Sequence, residues 1–274
     1  MTDISCVIHN DDCKHFIDSY EANPLDLTFL DPPFNQDKEY RSHNDNMAPE
    51  KYWGWMKDVC KSVIQKSSDG AAIYFMQREK NTKFVLEVLD ETGWTFQNLI
   101  IWKKKTSAVP SNQRFGKHYQ IIAFATKGNK PRVFNKLRYD PPLLITEKYS
   151  RVNGVYVTDV WDDIRELTSG YLAGDEPIRE NDGARSHKQQ SPIHLLTRII
   201  LSSSKPNDFI FDPFAGTGTT LVVAKQLRRH SLGVEIDSKN CEMIKQRILI
   251  TKKSDDISKL FNYYKYTQNL ESIW

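Results

Sequence analysis

The segment Phe211-Asp212-Pro213-Phe214-Ala215-Gly216-Thr217-Gly218-Thr219-Thr220 restricts the fold of this chain more than any other. It lies between a short apolar run, Asp208 to Phe211, and a helical pattern, Thr219 to Arg228, so it reads as a strand-turn-helix corner. Two glycines one residue apart let the backbone turn tightly and approach a ligand closely, and the helix N-terminus behind them favours negative charge. About twenty residues on, a second strand, Ser231 to Ile236, carries Gly233-Val234-Glu235, whose carboxylate can accept both ribose hydroxyls of an adenosine. Strand, glycine turn, helix and acid-tipped strand in that order mark an adenosine-containing cofactor on an open α/β sheet. The third glycine of a dinucleotide fingerprint and the lysine of a P-loop are both missing, which weighs against a nicotinamide cofactor or ATP.

The second informative corner is Asp31-Pro32-Pro33-Phe34, directly after the apolar strand Leu25 to Leu30. Two prolines end helix and ladder alike, so the strand runs into a rigid turn. Ligands in open α/β sheets bind at the carboxyl ends of strands. The amino group of a nucleobase is a poor nucleophile because its lone pair is delocalised. An Asp carboxylate and a neighbouring backbone carbonyl can accept its two hydrogens and localise that pair toward an electrophilic methyl. The aromatic at the fourth position offers a face for an extruded base. Asp140-Pro141-Pro142-Leu143 repeats the tripeptide but follows NKLRY and ends in Leu, and is set aside.

Between these corners, apolar strands alternate with helical patterns. The spacing predicts a helix from Glu50 to Gln65, a strand over Ala71 to Met76, a helix over Thr82 to Leu89, and strands over Phe96 to Trp102 and Ile121 to Ala125. The Trp53-Gly54-Trp55-Met56 run reads as core. Further helices are expected over Ile193 to Ser203 and Ser238 to Thr251. This is the pattern of a doubly wound α/β sheet. Periodicity fails between Pro131 and Arg185, which reads as an inserted module, and the residues from Lys253 onward show no clear pattern. The chain therefore divides into 1–130, 131–185, 186–252 and a tail, 253–274. The polar stretch Gln36 to Met47 is a candidate lid.

Charge adds a partner. The net charge of the chain is +3, yet Thr92 to Tyr139 holds ten Lys or Arg and no Asp or Glu, leaving 28 basic and 35 acidic residues elsewhere. A long acid-free stretch interleaved with aromatics suits a phosphate backbone. Cys6, Cys13, Cys60 and Cys241 form neither a CxxC pair nor a Cys/His cluster, so neither a disulfide framework nor a metal site is indicated. With 39% hydrophobic residues, no long apolar run and no signal-like N-terminus, the expectation is a globular cytoplasmic protein.

Taken together, these motifs resemble the DNA amino-methyltransferases. The Asp31 corner precedes the glycine turn, an order that resembles the permuted beta group of that family, over about Val7 to Ile250. Three further segments share the likeness. Asn10-Asp11-Asp12-Cys13 is similar to an Asn-Gly-Asp-Cys element whose Asp binds the adenine of the cofactor. Thr158-Asp159-Val160-Trp161 is similar to an Asp-Val-Trp strand, and His187-Lys188-Gln189-Gln190-Ser191-Pro192 to a His-Pro-Thr-Gln-Lys-Pro segment that holds the methionine moiety. Ser191 stands where the family has Lys, and Asp11 where it has Gly.

The resemblance implies a Rossmann-like methyltransferase sheet with an inserted target-recognition module, and S-adenosylmethionine as cofactor. It implies catalysis by Asp31, Pro32, Pro33 and Phe34. The implied cofactor contacts are Asp12, Asp31, His187, Ser191, Phe211, Asp212, Phe214, Ala215, Gly216, Gly218, Thr219 and Glu235. The substrate would be double-stranded DNA with a flipped base, methylated at adenine N6. Cytosine N4 is the alternative, although members with that activity more often show Ser-Pro-Pro-Tyr or Ser-Pro-Pro-Phe. A non-catalytic nucleic-acid-binding protein on the same fold is the rival outside the class. A cognate restriction endonuclease and a homodimer are the implied protein partners.

Overall fold

A computed structural model describes residues 3–37, 45–106, 109–140, 152–167, 175–179 and 190–274. The chain opens with β1 (Cys6–Asn10), α1 (Cys13–Ser19) and β2 (Leu25–Leu30), then α2 (Pro49–Lys66) and β3 (Ser67–Arg78). It continues through α3 (Thr82–Glu91), β4 (Trp94–Lys103), β5 (Tyr119–Lys127) and the short strands β6 (Arg138–Tyr139), β7 (Val155–Tyr156) and β8 (Val160–Trp161). The last third holds α4 (Ile193–Ser203), β9 (Phe209–Asp212), α5 (Thr219–Gln226), β10 (His230–Glu235), α6 (Ser238–Leu249), α7 (Ser258–Tyr263) and α8 (Leu270–Ile273).

Eight of these strands form one sheet in the order β1-β10-β9-β2-β3-β5-β4-β8. From β1 to β3 every pairing is parallel, while β5 runs antiparallel between β3 and β4. Alternation along β3 sorts the core onto two faces. Ala72, Tyr74 and Met76 pack on the side of α4 and α5, and Ile73 and Phe75 on the side of α1, α2 and α3. Helices on both faces of the sheet make the doubly wound Rossmann-like arrangement. The centre of the sheet is where the chain reverses its winding: β9 leads outward to β10 on one side and β2 outward to β3 on the other. Ligand crevices open at the carboxyl ends of strands at such a point.

Two stretches without legible periodicity are integrated into this frame. Within 131–185, β8 joins the main sheet, with Trp161 opposite Trp102, and Leu137, Trp161 and Ile164 enter the core. The tail forms α7 and α8, and Tyr264, directly after α7, is fully buried and takes a hydrogen bond from the buried Arg198 on α4 at 2.8 Å. Arg198 also pairs with Asp163 at 2.9 Å, which ties the tail, α4 and the segment after β8 together. Elements of six and four residues are too short for a period to show. No described helix is long and apolar enough to cross a membrane.

Candidate active site

The glycine turn is built by its own backbone. Asp212 ends β9 and its carboxylate accepts the Phe214 N–H at 3.1 Å and the Thr220 hydroxyl at 2.5 Å, so one side chain spans the corner. Burial pushes this carboxyl up to about 7 against those two bonds. Gly216 and Gly218 both lie at positive φ, 54° and 75°. A Cβ on Gly218 would stand 2.8 Å from Ile244 Cγ2, so the helix α6 packs too closely for any side chain there. Thr219 starts α5, and its hydroxyl takes a bond from Arg247 at 3.2 Å. Ala215 is held by its N–H on the Val234 carbonyl at 2.9 Å.

Glu235, at the end of β10, closes this turn. One carboxylate oxygen accepts the Gly216 N–H at 2.8 Å, and the other accepts the Asp237 N–H at 2.9 Å. Burial pushes its carboxyl above the ordinary range, and those amides work in the opposite direction. Asn10 stitches β1 to the same corner by donating to the carbonyls of Glu235 and Ile236, each at 3.0 Å. Asp12 follows as the N-cap of α1, with one oxygen accepting from Lys14 N and His15 N at 2.9 and 3.0 Å. The Phe211 ring is fully buried in the core on the α1 side, so this residue carries the turn from below. Phe214 is half-buried.

The Asp31 corner sits at the carboxyl end of β2, the strand beside β9. Ser191 donates its hydroxyl to Asp31 Oδ2 at 3.0 Å, joining positions 160 residues apart. Position 191 is placed in turn by Gln190, which bonds the Glu176 carbonyl and the Ile178 N–H, each at 3.0 Å. Glu176 also caps the start of α4 through Ile193 N at 2.6 Å. The Pro33 carbonyl accepts from Tyr52 OH at 2.7 Å, and Pro32 is buried. Phe34 is only 2% exposed and packs with the core. Beyond it, Asn35 and Met47 exchange two hydrogen bonds and Asp45 accepts the N–H of Asn35 at 2.8 Å, closing the base of the polar loop. His187 and loop residues 38–44 lie outside the described residues.

The basic stretch divides when it is placed in space. Arg132 pairs with Asp208 and Asp26 at 2.5 and 3.2 Å, Lys127 reaches the Ser67 carbonyl, and Arg138 lies over the Tyr156 ring. These are internal contacts. Lys103, the last residue of β4, and Lys105 and Arg114 after it are exposed. The acid-free stretch thus divides between cations with partners inside the protein, Arg132 on the buried Asp208 among them, and exposed ones, which also include Lys130 and Lys136.

The family model for N6/N4 methyltransferases, described as DNA methylase, matches residues 25–246. The chain belongs to this family of DNA methylases. This methylase is 28% identical over 290 residues to the type II methyltransferase M.BamHI of Bacillus amyloliquefaciens. That alignment covers 97% of this chain and 64% of the relative, so the chain spans less than two thirds of its length. It is 28% identical over 264 residues to the DNA adenine methyltransferase YhdJ of Escherichia coli strain K12, covering 88% of this chain and 82% of that one. Among solved structures, the PvuII DNA methyltransferase, described as cytosine-N4-specific, matches with a TM-score of 0.66 at 17% identity over 99% of this chain and 94% of the other, a likeness of fold.

The placement of three residues was not legible in the sequence. Trp55, read as core, does pack half-buried against the core, and it also meets Phe214 of the glycine turn edge-on, with ring centroids 5.4 Å apart. Glu176 positions Ser191 from within the aperiodic segment. Lys104, counted among the phosphate-facing cations, is half-buried with its Nζ 2.9 Å from the centroid of the Trp102 ring. Its position in a Lys-Lys-Lys run gave no signal that it differs from its neighbours.

Proposed function

We propose that this methylase transfers a methyl group from S-adenosylmethionine to the N6 amino group of an adenine extruded from duplex DNA. The observation that carries this reading is the Ser191–Asp31 hydrogen bond, which draws the segment before the cofactor half onto the Asp31 corner, beside the strand that bears the glycine turn. The residues present suit the cofactor. Glu235 offers a half-buried carboxylate whose oxygens retain acceptor capacity beyond the amides they already hold. Asp12 follows β1, whose last residue Asn10 lies opposite Glu235 on the neighbouring strand, and Gly216 and Gly218 put no side chain at the two positive-φ positions of the turn. When bound, S-adenosylmethionine supplies an electrophilic methyl carbon.

The chain's own residues position and polarise the acceptor. Asp31 accepts one amino hydrogen and the Pro32 carbonyl the other, which localises the lone pair as the transition state is approached. Ser191 fixes the Asp31 carboxylate, and Tyr52 fixes the turn through the Pro33 carbonyl. The paired, stacked base must leave the duplex to reach this corner. Phe34 is covered by the core, so stacking of the base on its ring requires that face to be uncovered on binding. The exposed Lys103, Lys105 and Arg114 take backbone phosphates, and the 131–185 segment reads the sequence. A cytoplasmic setting, a companion restriction endonuclease and a homodimer complete this reading.

Adenine is preferred because Asp31 occupies the position where cytosine-specific members more often carry Ser. The fold of the cytosine-N4-specific PvuII enzyme favours the second reading, transfer to the N4 amino group of cytosine. Tritiated cofactor and duplex DNA, followed by digestion to nucleosides, decide between them. Label on N6 of adenine supports the proposal and label on N4 of cytosine selects the alternative. Label on a cytosine carbon, or none on DNA, overturns both.

A further inference from the structure

The two most exposed large hydrophobic side chains among the described residues, Phe115 at 95% and Val109 at 89%, stand on one loop, the connection from β4 to β5. Because β4 is antiparallel to β5 and β5 to β3, the chain leaves β4 at the sheet edge where β2 ends in the Asp31 corner. In the sheet, β3 separates β5 from β2, and β4 lies beyond β5. At about 4.8 Å per strand the loop therefore starts roughly 10–15 Å from that corner, comparable to the about 12 Å width of a DNA major groove. The base of the loop is held on both arms. The Lys104 N–H meets the His118 carbonyl at 2.8 Å and extends the ladder. Glu166 clamps the outgoing arm by accepting Lys105 N at 2.8 Å, Thr106 N at 2.9 Å and the Thr106 hydroxyl at 2.6 Å. Lys117 pairs with Glu79 at 3.3 Å on the returning arm. Between them the Ser111 N–H bonds the Arg114 carbonyl at 3.1 Å, which closes a tight turn directly before Phe115.

The surroundings of the Phe115 ring carry one sign of charge. Arg114 beside it is exposed, as are Lys103 and Lys105 on the outgoing arm. Lys80, in the turn after β3, is held below the ordinary lysine range by partial desolvation and by Arg78, Lys117 and Arg114, against Glu79. Cations thus extend from the loop to the strand beside β2. Of the carboxylates at the base of the loop, Glu79 is taken up by Lys117 and Glu166 by backbone N–H groups. A second copy of the same loop is a poor cover for such a tip, because a symmetric contact sets like charges against each other. A polyanion with an aromatic interior suits both the cations and the ring. We propose that Phe115 inserts into the base stack of the duplex beside the extruded target and occupies the gap that the departed base leaves, while Lys103, Lys105 and Arg114 hold the flanking phosphates. The inference rests on the reading of duplex DNA with an extruded base as the substrate. Extrusion costs pairing and stacking, and an apolar wedge in the gap restores part of the stacking and keeps the base from returning. A wedge acts only from a support that does not yield, which is what the bonds at the base of the loop supply.

The test measures single-turnover methylation by the wild type, Phe115→Ala and Phe115→Trp on two substrates: a duplex carrying the methylated site, and the same duplex with an abasic position opposite the target base. Phe115 is exposed, so these substitutions should leave the melting temperature unchanged. On the intact duplex Phe115→Ala falls roughly 5- to 150-fold below the wild type, the loss of one base–aromatic stack, and Phe115→Trp stays close to the wild type. With the opposite base removed, the ratio of wild type to Phe115→Ala shrinks, because less pairing has to be broken. A second readout needs no turnover: iodouracil placed next to the target is irradiated in the complex, and peptide mapping finds the cross-link at position 115. Four results overturn the inference. They are a wild-type rate for Phe115→Ala on the intact duplex; an equal loss on both duplexes, which makes Phe115 a general contact; cross-links that avoid position 115; and a wild-type dimer that Phe115→Ala dissociates, which assigns the ring to a second copy. A wild type that labels no DNA is a different result, and it removes the substrate reading and this inference with it.

Discussion

Replacing Glu235 with Gln tests the cofactor corner at the level of single hydrogen bonds. The carboxylate gives one oxygen to Gly216 N and the other to Asp237 N. A carboxamide has one acceptor oxygen and one donor NH2. Either orientation therefore sets the NH2 against one of the two N–H groups, and a ribose hydroxyl also loses a charged acceptor. An unsatisfied buried donor or a lost charge-assisted bond costs about 1–3 kcal/mol, so cofactor affinity should weaken roughly 5- to 150-fold. Affinity in the wild type should also fall at acidic pH, because the raised Glu235 carboxyl protonates and ceases to accept from both directions. Titration calorimetry with S-adenosylmethionine measures both effects. Glu235→Gln binding as tightly as the wild type refutes the assignment, and a lowered melting temperature with unchanged affinity would confine Glu235 to holding the turn.

Three further outcomes are expected. Lys103→Ala with Lys105→Ala, leaving Lys104 intact, should flatten the slope of log DNA affinity against log salt by up to about 0.9 per lost phosphate contact; an unchanged slope places both away from DNA. The Asp212 carboxyl is raised to about 7 by burial, so its neutral form favours the folded state below the ordinary carboxylate range, and this contribution is lost as pH climbs through 7. Urea unfolding should show wild-type stability declining over that interval and Asp212→Asn declining less; parallel curves would contradict the burial argument. Exchanging the 131–185 segment for that of a relative, with Leu137, Trp161 and Ile164 retained because they lie in the core, should move the methylated sequence without changing the base. An active chimera that methylates the parent site locates recognition elsewhere.

The two corners were legible in the sequence because their backbone demands are local. Prolines after an apolar strand and glycines before a helix announce turns whatever the rest of the chain does. The main strands and helices were legible for a related reason, since the continuous apolar runs of β3 and β5, buried on both faces, and the helical spacing of α2 and α4 extend over many residues. Lys104 was not, because its distinction from Lys103 and Lys105 lies in which way the side chain leaves β4 and in the Trp102 face it meets. Glu166 and Glu176 were hidden in an aperiodic segment, where each serves backbone N–H groups that only the fold brings near. The tail was illegible because its helices are short and its anchor, Arg198 to Tyr264, spans 66 residues.

The central claim is that Asp31 holds and polarises the target amino group. The measurement that tests it most directly is the single-turnover methylation rate of Asp31→Ala at saturating cofactor and duplex DNA, with binding of each measured separately. Loss of one preorganised polar contact to the transition state should lower the rate at least about a hundredfold, while DNA affinity persists and cofactor affinity falls only modestly. Methylation by Asp31→Ala at the wild-type rate would contradict the account.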